Sequence, residues 1–520
     1  MMKNKILKNI FSHHVGKIFE IALGVLLVPF MIKKVGVSGF GIVVLAETIF
    51  YFFDFSLAGL RGAIGRYAAL ALYGNDKMQA NRYLSTGSCM LVVSLVVMVT
   101  IFIGAAGHLH SILNIPDQFK DQTHRFMLGM LLSLVVHLSF TPYWAIIYAF
   151  QRFDLQNLFM GVRNVVRGVL VFVVYSTLPP KLYYYGFIYL CAIIVEQLLI
   201  NRSARRLLPE LLIRASLFSW RDAGKLFAFM TFRTIQSVSA LLYSRTHMVL
   251  INRYMGAAFN TLYDISLKFV SLLQRMIQQA LWVLVPSFTE LIALGDSKNL
   301  NRITAGMTKA VAIVTLPICI LMALFGKELL VAWVGPEFIA AVRPMYFNIL
   351  YVIPIIVFTP SDTVLAAFAK IKIPSFVNLA CACANIAIGL FTAIKLRWGL
   401  TGFAFGSCCA TLIQSAIFIP YYSCLVSGMD RRNFYVNSVA KPVTLNGALA
   451  SVLFYEKFIM KTPLYGMIAS IAVAMPVYCG LAYIFLLNRE ERRMLRDSRR
   501  HIVAKVSAIR LRPDAVSSEE

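Results

Sequence analysis

The sequence predicts an all-α polytopic membrane protein of about fourteen transmembrane helices, and three observations carry that reading. Of 520 residues, 59% are hydrophobic and 14% charged, with a mean hydropathy of +0.72; a soluble chain carries about 25% charged residues. Apolar stretches of about 20 residues, the length a bilayer core demands, recur along the chain. The net charge of +26, from 50 Lys+Arg against 24 Asp+Glu, is concentrated in the short segments between them. That pattern reads as topology and membrane-surface attraction. No basic soluble region interleaved with aromatics stands apart, so the expected partner is the lipid bilayer and not nucleic acid.

Taken in order, the candidate spans cover about residues 12–32, 41–60, 85–107, 126–148, 157–178, 183–201, 225–244, 260–286, 303–325, 341–360, 374–394, 400–425, 441–458 and 463–487. Polar residues interrupt several from the second through the eighth. With the N-terminus inside, cytoplasmic segments hold roughly 31 Lys/Arg and outside loops roughly 13. The strongest votes come from Arg202, Arg205, Arg206, Arg214, Arg221 and Lys225, and from the basic tail 489–520. Both termini are therefore expected in the cytoplasm. The tail also suits an amphipathic helix on the anionic inner leaflet or a solvated anchor. The run after Lys8 is broken by His13, His14, Lys17 and Glu20, so no cleavable signal peptide is expected.

The nine cysteines lie in apolar stretches and lack paired metal-ligand spacing. They read as buried small hydrophobes. No disulfide, metal or cofactor is expected.

The chain contains an internal repeat. Val35-Gly36 follows the first span, and the next closes in Leu70-Ala71-Leu72-Tyr73-Gly74-Asn75-Asp76-Lys77. Met255-Gly256 and Leu291-Ile292-Ala293-Leu294-Gly295-Asp296-Ser297-Lys298 repeat the pattern about 220 residues later. Each unit holds an even number of spans, so the copies share one orientation. The expected division is an N-lobe over 1–218, a C-lobe over 219–425, two further helices over 426–488 and the basic tail.

Charged side chains at bilayer depth are costly, ~2.5–3.5 kcal/mol each on insertion scales, so they are expected to face a protein interior or a cavity. The embedded cations are Lys17, Arg167, Arg233, Lys268, Arg275 and Lys309. In the eighth span Asp264, Lys268, Ser271, Arg275 and Gln278 or Gln279 recur on one helical face. Asp264 and Lys268 are spaced to pair, while Arg275 has no acid at i±3 or i±4. In the second span Glu47, Tyr51, Asp54, Ala58, Arg61 and Gly65 share a face. The seventh offers Arg233 with Gln236 or Ser237, and the fifth Arg163 and Arg167 at i, i+4. Arg61, Arg163 and Lys309 lie near expected boundaries, where snorkelling to the surface is the simpler reading. Asp54, Glu47 and Asp264 are candidates for ion coupling or for partnering lumen cations. No Walker loop, nucleophile elbow or metalloprotease helix is present, so an enzyme is not expected.

Val35-Gly36-Val37-Ser38-Gly39-Phe40-Gly41, Asp54-Phe55-Ser56-Leu57-Ala58-Gly59-Leu60 and Arg66-Tyr67 resemble the opening of the polysaccharide-exporting, O-antigen-type flippases. That family shares a superfamily with multidrug/toxin extruders and lipid II flippases. Ala149-Phe150-Gln151-Arg152-Phe153, Leu329-Leu330-Val331-Ala332-Trp333-Val334-Gly335-Pro336-Glu337-Phe338 and Trp398-Gly399-Leu400-Thr401-Gly402 extend the resemblance in order. It implies two six-helix lobes enclosing a V-shaped cavity, two extra C-terminal helices and alternating access driven by an ion gradient or the membrane potential. The implied cargo is an oligosaccharide on undecaprenyl diphosphate, moved to the outer leaflet of the bacterial cytoplasmic membrane. A polysaccharide polymerase and chain-length-control proteins are the implied partners. The chain departs at Arg245-Thr246-His247, where many members carry an acidic residue.

A diphosphate crossing a low-dielectric slab needs cations, since one charge pair at 4 Å is worth ~4 kcal/mol at an effective dielectric of 20. Lys268, Arg275, Arg233, Arg167 and Lys17 are expected to supply them, Arg in bidentate geometry. Gln236, Gln274, Gln278, Gln279 and Ser271 are expected to meet the sugars. A multidrug extruder with an organic-cation cargo, a lipid II flippase and a membrane-embedded polymerase or ligase are the competing readings. Deep cations disfavour the first, and short outside loops disfavour the last.

Overall fold

The computed structural model describes residues 2–106, 113–281, 284–368, 370, 372–458, 464–488 and 491–492. Of these, 2–23, 105–106, 153, 231–237, 244, 279–280, 284–287, 293, 458, 464–468 and 470 are described as backbone alone. The described residues are helical with no strand. In order the helices are α1 Met2–Ser56, α2 Ala58–Tyr73, α3 Lys77–Ala106, α4 Lys120–Ser139, α5 Thr141–Ala149, α6 Phe153–Thr177 and α7 Tyr183–Leu207. There follow α8 Trp220–Ser244, α9 Thr246–Met255, α10 Ala257–Leu281, α11 Leu284–Ala293, α12 Ser297–Val334, α13 Val342–Val357 and α14 Thr359–Ala367. The last are α15 Lys372–Leu390, α16 Leu400–Thr411, α17 Ile419–Ser427, α18 Arg431–Tyr435, α19 Lys441–Phe458 and α20 Leu464–Leu481.

Among the described residues, eight helical runs are long and apolar enough to cross a membrane, and α4 with α5, bent by 43°, passes the same test only as a joined pair. The chain is a multi-pass membrane protein. The expected seventh and eighth spans correspond to helices α8 and α10; α8 is described as backbone alone over 231–237, and α10 carries Asp264, Lys268 and Arg275. The expected spans 12–32 and 41–60 meet at Gly36, whose φ of 78° and ψ of 168° break α1. Only glycine takes such angles without strain. The second of these spans is interrupted again at Leu57, which separates α1 from α2. Cys191, Cys383 and Cys479 are exposed on their helices, so the expectation that all nine are buried does not hold.

The repeat has a structural counterpart in local conformation. Gly256, at φ 96° and ψ 172°, breaks the chain between α9 and α10 as Gly36 breaks α1. After α2, the amides of Gly74, Asn75 and Asp76 bond the carbonyls of Leu70, Leu72 and Ala71. After α11, the amides of Leu294, Gly295 and Asp296 bond those of Glu290, Ile292 and Leu291, the same pattern. Asn75 and Gly295 both take positive φ, 58° and 69°. Asp76 and Asp296 then each accept the amide three residues on, from Gln79 at 2.8 Å and Asn299 at 3.1 Å, the side-chain satisfaction that starts a helix.

The chain divides into two compact units, and the borders between them fall largely within helices rather than linkers. The first holds Met1–Leu272, Leu330–Asn348 and Lys372–Ala410. In it, α4 crosses α7 at glycines: a Cβ on Gly129 would stand 2.7 Å from a Gly186 backbone carbon. Small residues allow such backbone contact where lipid supplies no hydrophobic drive between helices. The segment after α7 is strapped along the start of α3. Asn81 bonds the Glu210 carbonyl at 2.9 Å and the Leu212 amide at 3.1 Å, Ser85 takes the Arg214 amide at 3.2 Å, and Thr86 the Ser219 amide at 3.1 Å. Nonhelical backbone is thereby satisfied by side chains. Apolar residues of α3, among them Val92, Val93, Val96, Val97 and Ile101, are exposed, as a lipid-facing span requires.

The second unit holds Leu273–Leu329, Ile349–Ile371 and Thr411–Glu520. Here α19 and α20 pack on α12 around Leu449, Leu453 and Tyr478. The Tyr478 hydroxyl accepts from Asn446 and donates to the Ile313 carbonyl, both at 2.9 Å. Lys309 is buried: its amine donates to the Leu486 carbonyl at 3.1 Å and meets Glu491 at 2.6 Å. It caps the helical turn Ala482–Leu486 that follows α20 instead of snorkelling. Lys457 likewise pairs with Glu328 at 2.9 Å.

Candidate functional site

Helix α1 presents Glu47, Tyr51 and Asp54 on one face, and the first unit surrounds them with partners. Both guanidinium nitrogens of Arg61 grip Asp54, whose Oδ1 also lies 3.4 Å from His137 Nε2. Gln197 links His137 Nδ1 at 3.3 Å to Glu196 at 3.2 Å, and Glu196 meets Arg163 at 3.1 Å. On the same helices Arg167 stands 3.6 Å from Glu47, which accepts from the Tyr185 hydroxyl at 2.7 Å. The Arg167 guanidinium lies over the Tyr189 ring at 5.8 Å.

Three carboxylates thus balance three guanidiniums. A pair at 3.6 Å gains ~5 kcal/mol at an effective dielectric of 20, set against the several kcal/mol each ion loses on leaving water. Charge balance explains how Arg163 and Arg167, like charges one helical turn apart, coexist. It also removes Arg163 from the surface role its position suggested. Three buried polar atoms in the network lack protein partners: Arg167 Nε, Glu196 Oε1 and Gln197 Oε1.

Helix α10 differs. Lys268 lies 3.7 Å from Asp264, the i, i+4 pair that the spacing predicts. Ser271 donates to the Lys268 carbonyl at 2.9 Å, so its proton is used within the helix. Gln274 accepts from the Tyr351 hydroxyl at 3.4 Å, and Gln278 is half-buried. Arg275 is exposed and makes no ion pair among the described residues. The side chains of Lys17, Arg233, Gln236 and Gln279 lie outside the described residues.

One cation was not singled out by the spacing argument. Arg245, at the end of α8, is half-buried with its guanidinium 4.5 Å from the centroid of Tyr51 and no carboxylate partner among the described residues. Tyr51 lies between Glu47 and Asp54 on their face, so Arg245 adds a positive group beside that acidic stripe. The signal in the sequence was its place just beyond a span. The network members His137, Gln197 and Tyr185 were also missed, because their partners lie on helices distant in sequence. Among the described residues no cluster of His, Cys, Asp or Glu could hold a metal ion.

The family described as "Polysaccharide biosynthesis protein" matches residues 6–292. The chain is similar to the "Uncharacterized membrane protein EpsK" of Bacillus subtilis (strain 168), with 21% identity over 481 residues, 92% of this chain and 95% of that one. Among solved structures it is similar to "Lipid II flippase MurJ, inward closed conformation", with a TM-score of 0.73 at 13% identity over 91% of this chain and 98% of that one. It is also similar to a multidrug resistance MATE family transporter of the MOP superfamily in an inward-facing conformation. That match has a TM-score of 0.65 at 11% identity over 79% of this chain and 94% of the other. At these identities the structural likeness is one of fold.

Proposed function

We propose a transport role for this chain, which belongs to the polysaccharide biosynthesis protein family: it moves an anionic, lipid-linked oligosaccharide from the inner to the outer leaflet. The lipid carrier is undecaprenyl diphosphate, and the product enters O-antigen, capsule or exopolysaccharide assembly. Alternating access uses two lobes, 1–218 and 219–425, in the bacterial cytoplasmic membrane with both termini inside. A polymerase and chain-length-control proteins are the downstream partners.

The observation that carries this reading is the uneven pairing of embedded cations. The first-copy guanidiniums are neutralised by Glu47, Asp54 and Glu196, whereas Arg275 on α10 has no acidic partner among the described residues. Seven residues along a helix return to nearly the same face, so Arg275 continues the stripe that begins with Asp264 and Lys268. An unpaired guanidinium there is suited to a diphosphate, with Arg233 and Lys17 as further cations, while Arg167, expected among them, is held by Glu47. Gln236, Gln274, Gln278, Gln279 and Ser271 offer amides and a hydroxyl for sugars. Asp54, Glu47 and Asp264 hold lumen cations in place or couple an ion. An organic-cation extruder would need the opposite charge.

The test is surface polysaccharide in a strain carrying Lys268→Ala or Arg275→Ala. Export falls while inserted protein is unchanged; normal polysaccharide with both variants would sink the reading. Purified protein should neither hydrolyse nor polymerise the lipid-linked sugar, and product formation would move the assignment to an enzyme.

A further inference from the structure

His247 is buried at the start of α9, just past the break that ends α8. Four other helices surround its ring. Its Nδ1 lies 3.4 Å from the Tyr263 hydroxyl of α10 and 3.3 Å from Ser407 Oγ of α16. Phe403 of α16 covers the ring at 5.3 Å between centroids. From α8, the Tyr243 hydroxyl donates to the Ser407 carbonyl at 3.0 Å, and from α15, Asn385 donates to the Tyr243 carbonyl at 3.3 Å.

Ser407 Oγ also lies 3.3 Å from the Phe403 carbonyl. Nε2 is buried with no hydrogen-bond partner. Space is short, since a Cβ on Gly389 would lie 3.4 Å from Nε2.

We infer that the His247 cage is a proton-binding site, and that loading it loosens the packing of α9 and α10 on α15 and α16. Tyr243 and Tyr263 are the titratable groups facing it. Asn385 and Gly389 of α15 and Phe403 and Ser407 of α16 do not titrate, and Asp264 and Lys268 of α10 engage each other. No carboxylate pairs with His247 among the described residues, so an added charge is uncompensated in this arrangement. Burial lowers the imidazole from 6.5 to about 4 here. A group whose proton affinity is depressed in the packed state stabilises that state at high pH and ceases to as pH falls. The window runs from 6.5 down to about 4. The site does not depend on which cargo the chain carries.

Hydrogen–deuterium exchange of the purified full-length protein in nanodiscs, corrected for intrinsic rates, tests this on peptides within 243–266 and 385–410. Between pH 8 and pH 5 the opening equilibrium of these peptides should rise on the order of 30-fold, from the two affinities. His247→Gln should abolish the rise, and Ser407→Ala, which keeps the imidazole, should shift its midpoint. His137→Gln should leave it in place. A flat wild-type profile, a rise that survives His247→Gln, or equal loosening on adding NaCl at constant pH would each overturn the assignment. If His247→Gln does not fold, an unshifted midpoint in Ser407→Ala overturns it.

Discussion

Thr261 donates its hydroxyl to the carbonyl of Val37 at 2.7 Å, and the reciprocal contact lies beside it: a Cβ on Gly41 would fall 1.7 Å from the Ala257 carbonyl. In the repeat, Val37 corresponds to Ala257 and Gly41 to Thr261. Each position therefore touches its partner's counterpart, as residues do across a two-fold axis. The sequence repeat is thus also a local symmetry of contact between α1 and α10.

Gly41→Ala should lower the melting temperature of the purified protein more than Thr261→Val does. The first inserts a methyl into occupied backbone space, at ~1–3 kcal/mol. The second loses one hydrogen bond, about 1 kcal/mol. Equal or reversed shifts would contradict the close approach.

Arg167 and Arg275 should respond differently to removal. Arg167→Met strands Glu47, and breaking such a pair costs ~3–5 kcal/mol; Glu47→Gln in the same chain should recover much of the stability. Arg275→Ala, at an exposed site, should change stability by no more than ~0.5 kcal/mol while cutting export. Matching stability losses in denaturation measurements would show that Arg275 has a structural partner.

Lys309→Met should free the helical turn Ala482–Leu486 that follows α20, because the Leu486 carbonyl and Glu491 lose their common donor. Limited trypsin digestion reads this as faster cleavage after Arg492 with an otherwise unchanged pattern. An unchanged rate would mean the cap adds nothing to docking.

Cysteines placed in loop 113–119 should be labelled from outside the cell, and cysteines at 209–216 should not. The reverse pattern would invert the topology read from the Lys/Arg bias.

Asp296 gives a pH expectation outside the spans. Hydrogen bonds from Asn299 hold its carboxyl below the usual carboxylate range. Its capping of α12 is therefore fully present above the unfolded value of 3.8 and is lost only as pH falls through the lowered one. Exchange protection of the first turn of α12 should stay constant from pH 7 to 5, and Asp296→Ala should remove it.

Much of the architecture was legible because membrane insertion writes itself into local composition. The apolar runs, the Gly36 and Gly256 breaks and the Asp264–Lys268 pair all depend on residues within a few turns of one another. The site was less legible. Lys309 and Arg163 sit at expected boundaries and read as snorkelling cations, yet one caps a C-terminal carbonyl and the other neutralises Glu196. Their partners are 182 and 33 residues away, beyond any periodicity. His247 lies in a polar triplet that read only as a departure from a resemblance.

By itself the sequence determined that this chain is a helical membrane protein and that its embedded charge is mostly positive. Those properties follow from bilayer thickness, helical period and the cost of ions in hydrocarbon. Tertiary structure decided which cations keep their charge available. Arg163 and Arg167 do not, because helices distant in sequence bring Glu196 and Glu47 against them. Arg275 does, because no described acid reaches it, and His247 keeps an unpartnered Nε2 because four other helices close around it. Pairing is a property of distances through space, and a sequence records only distances along the chain.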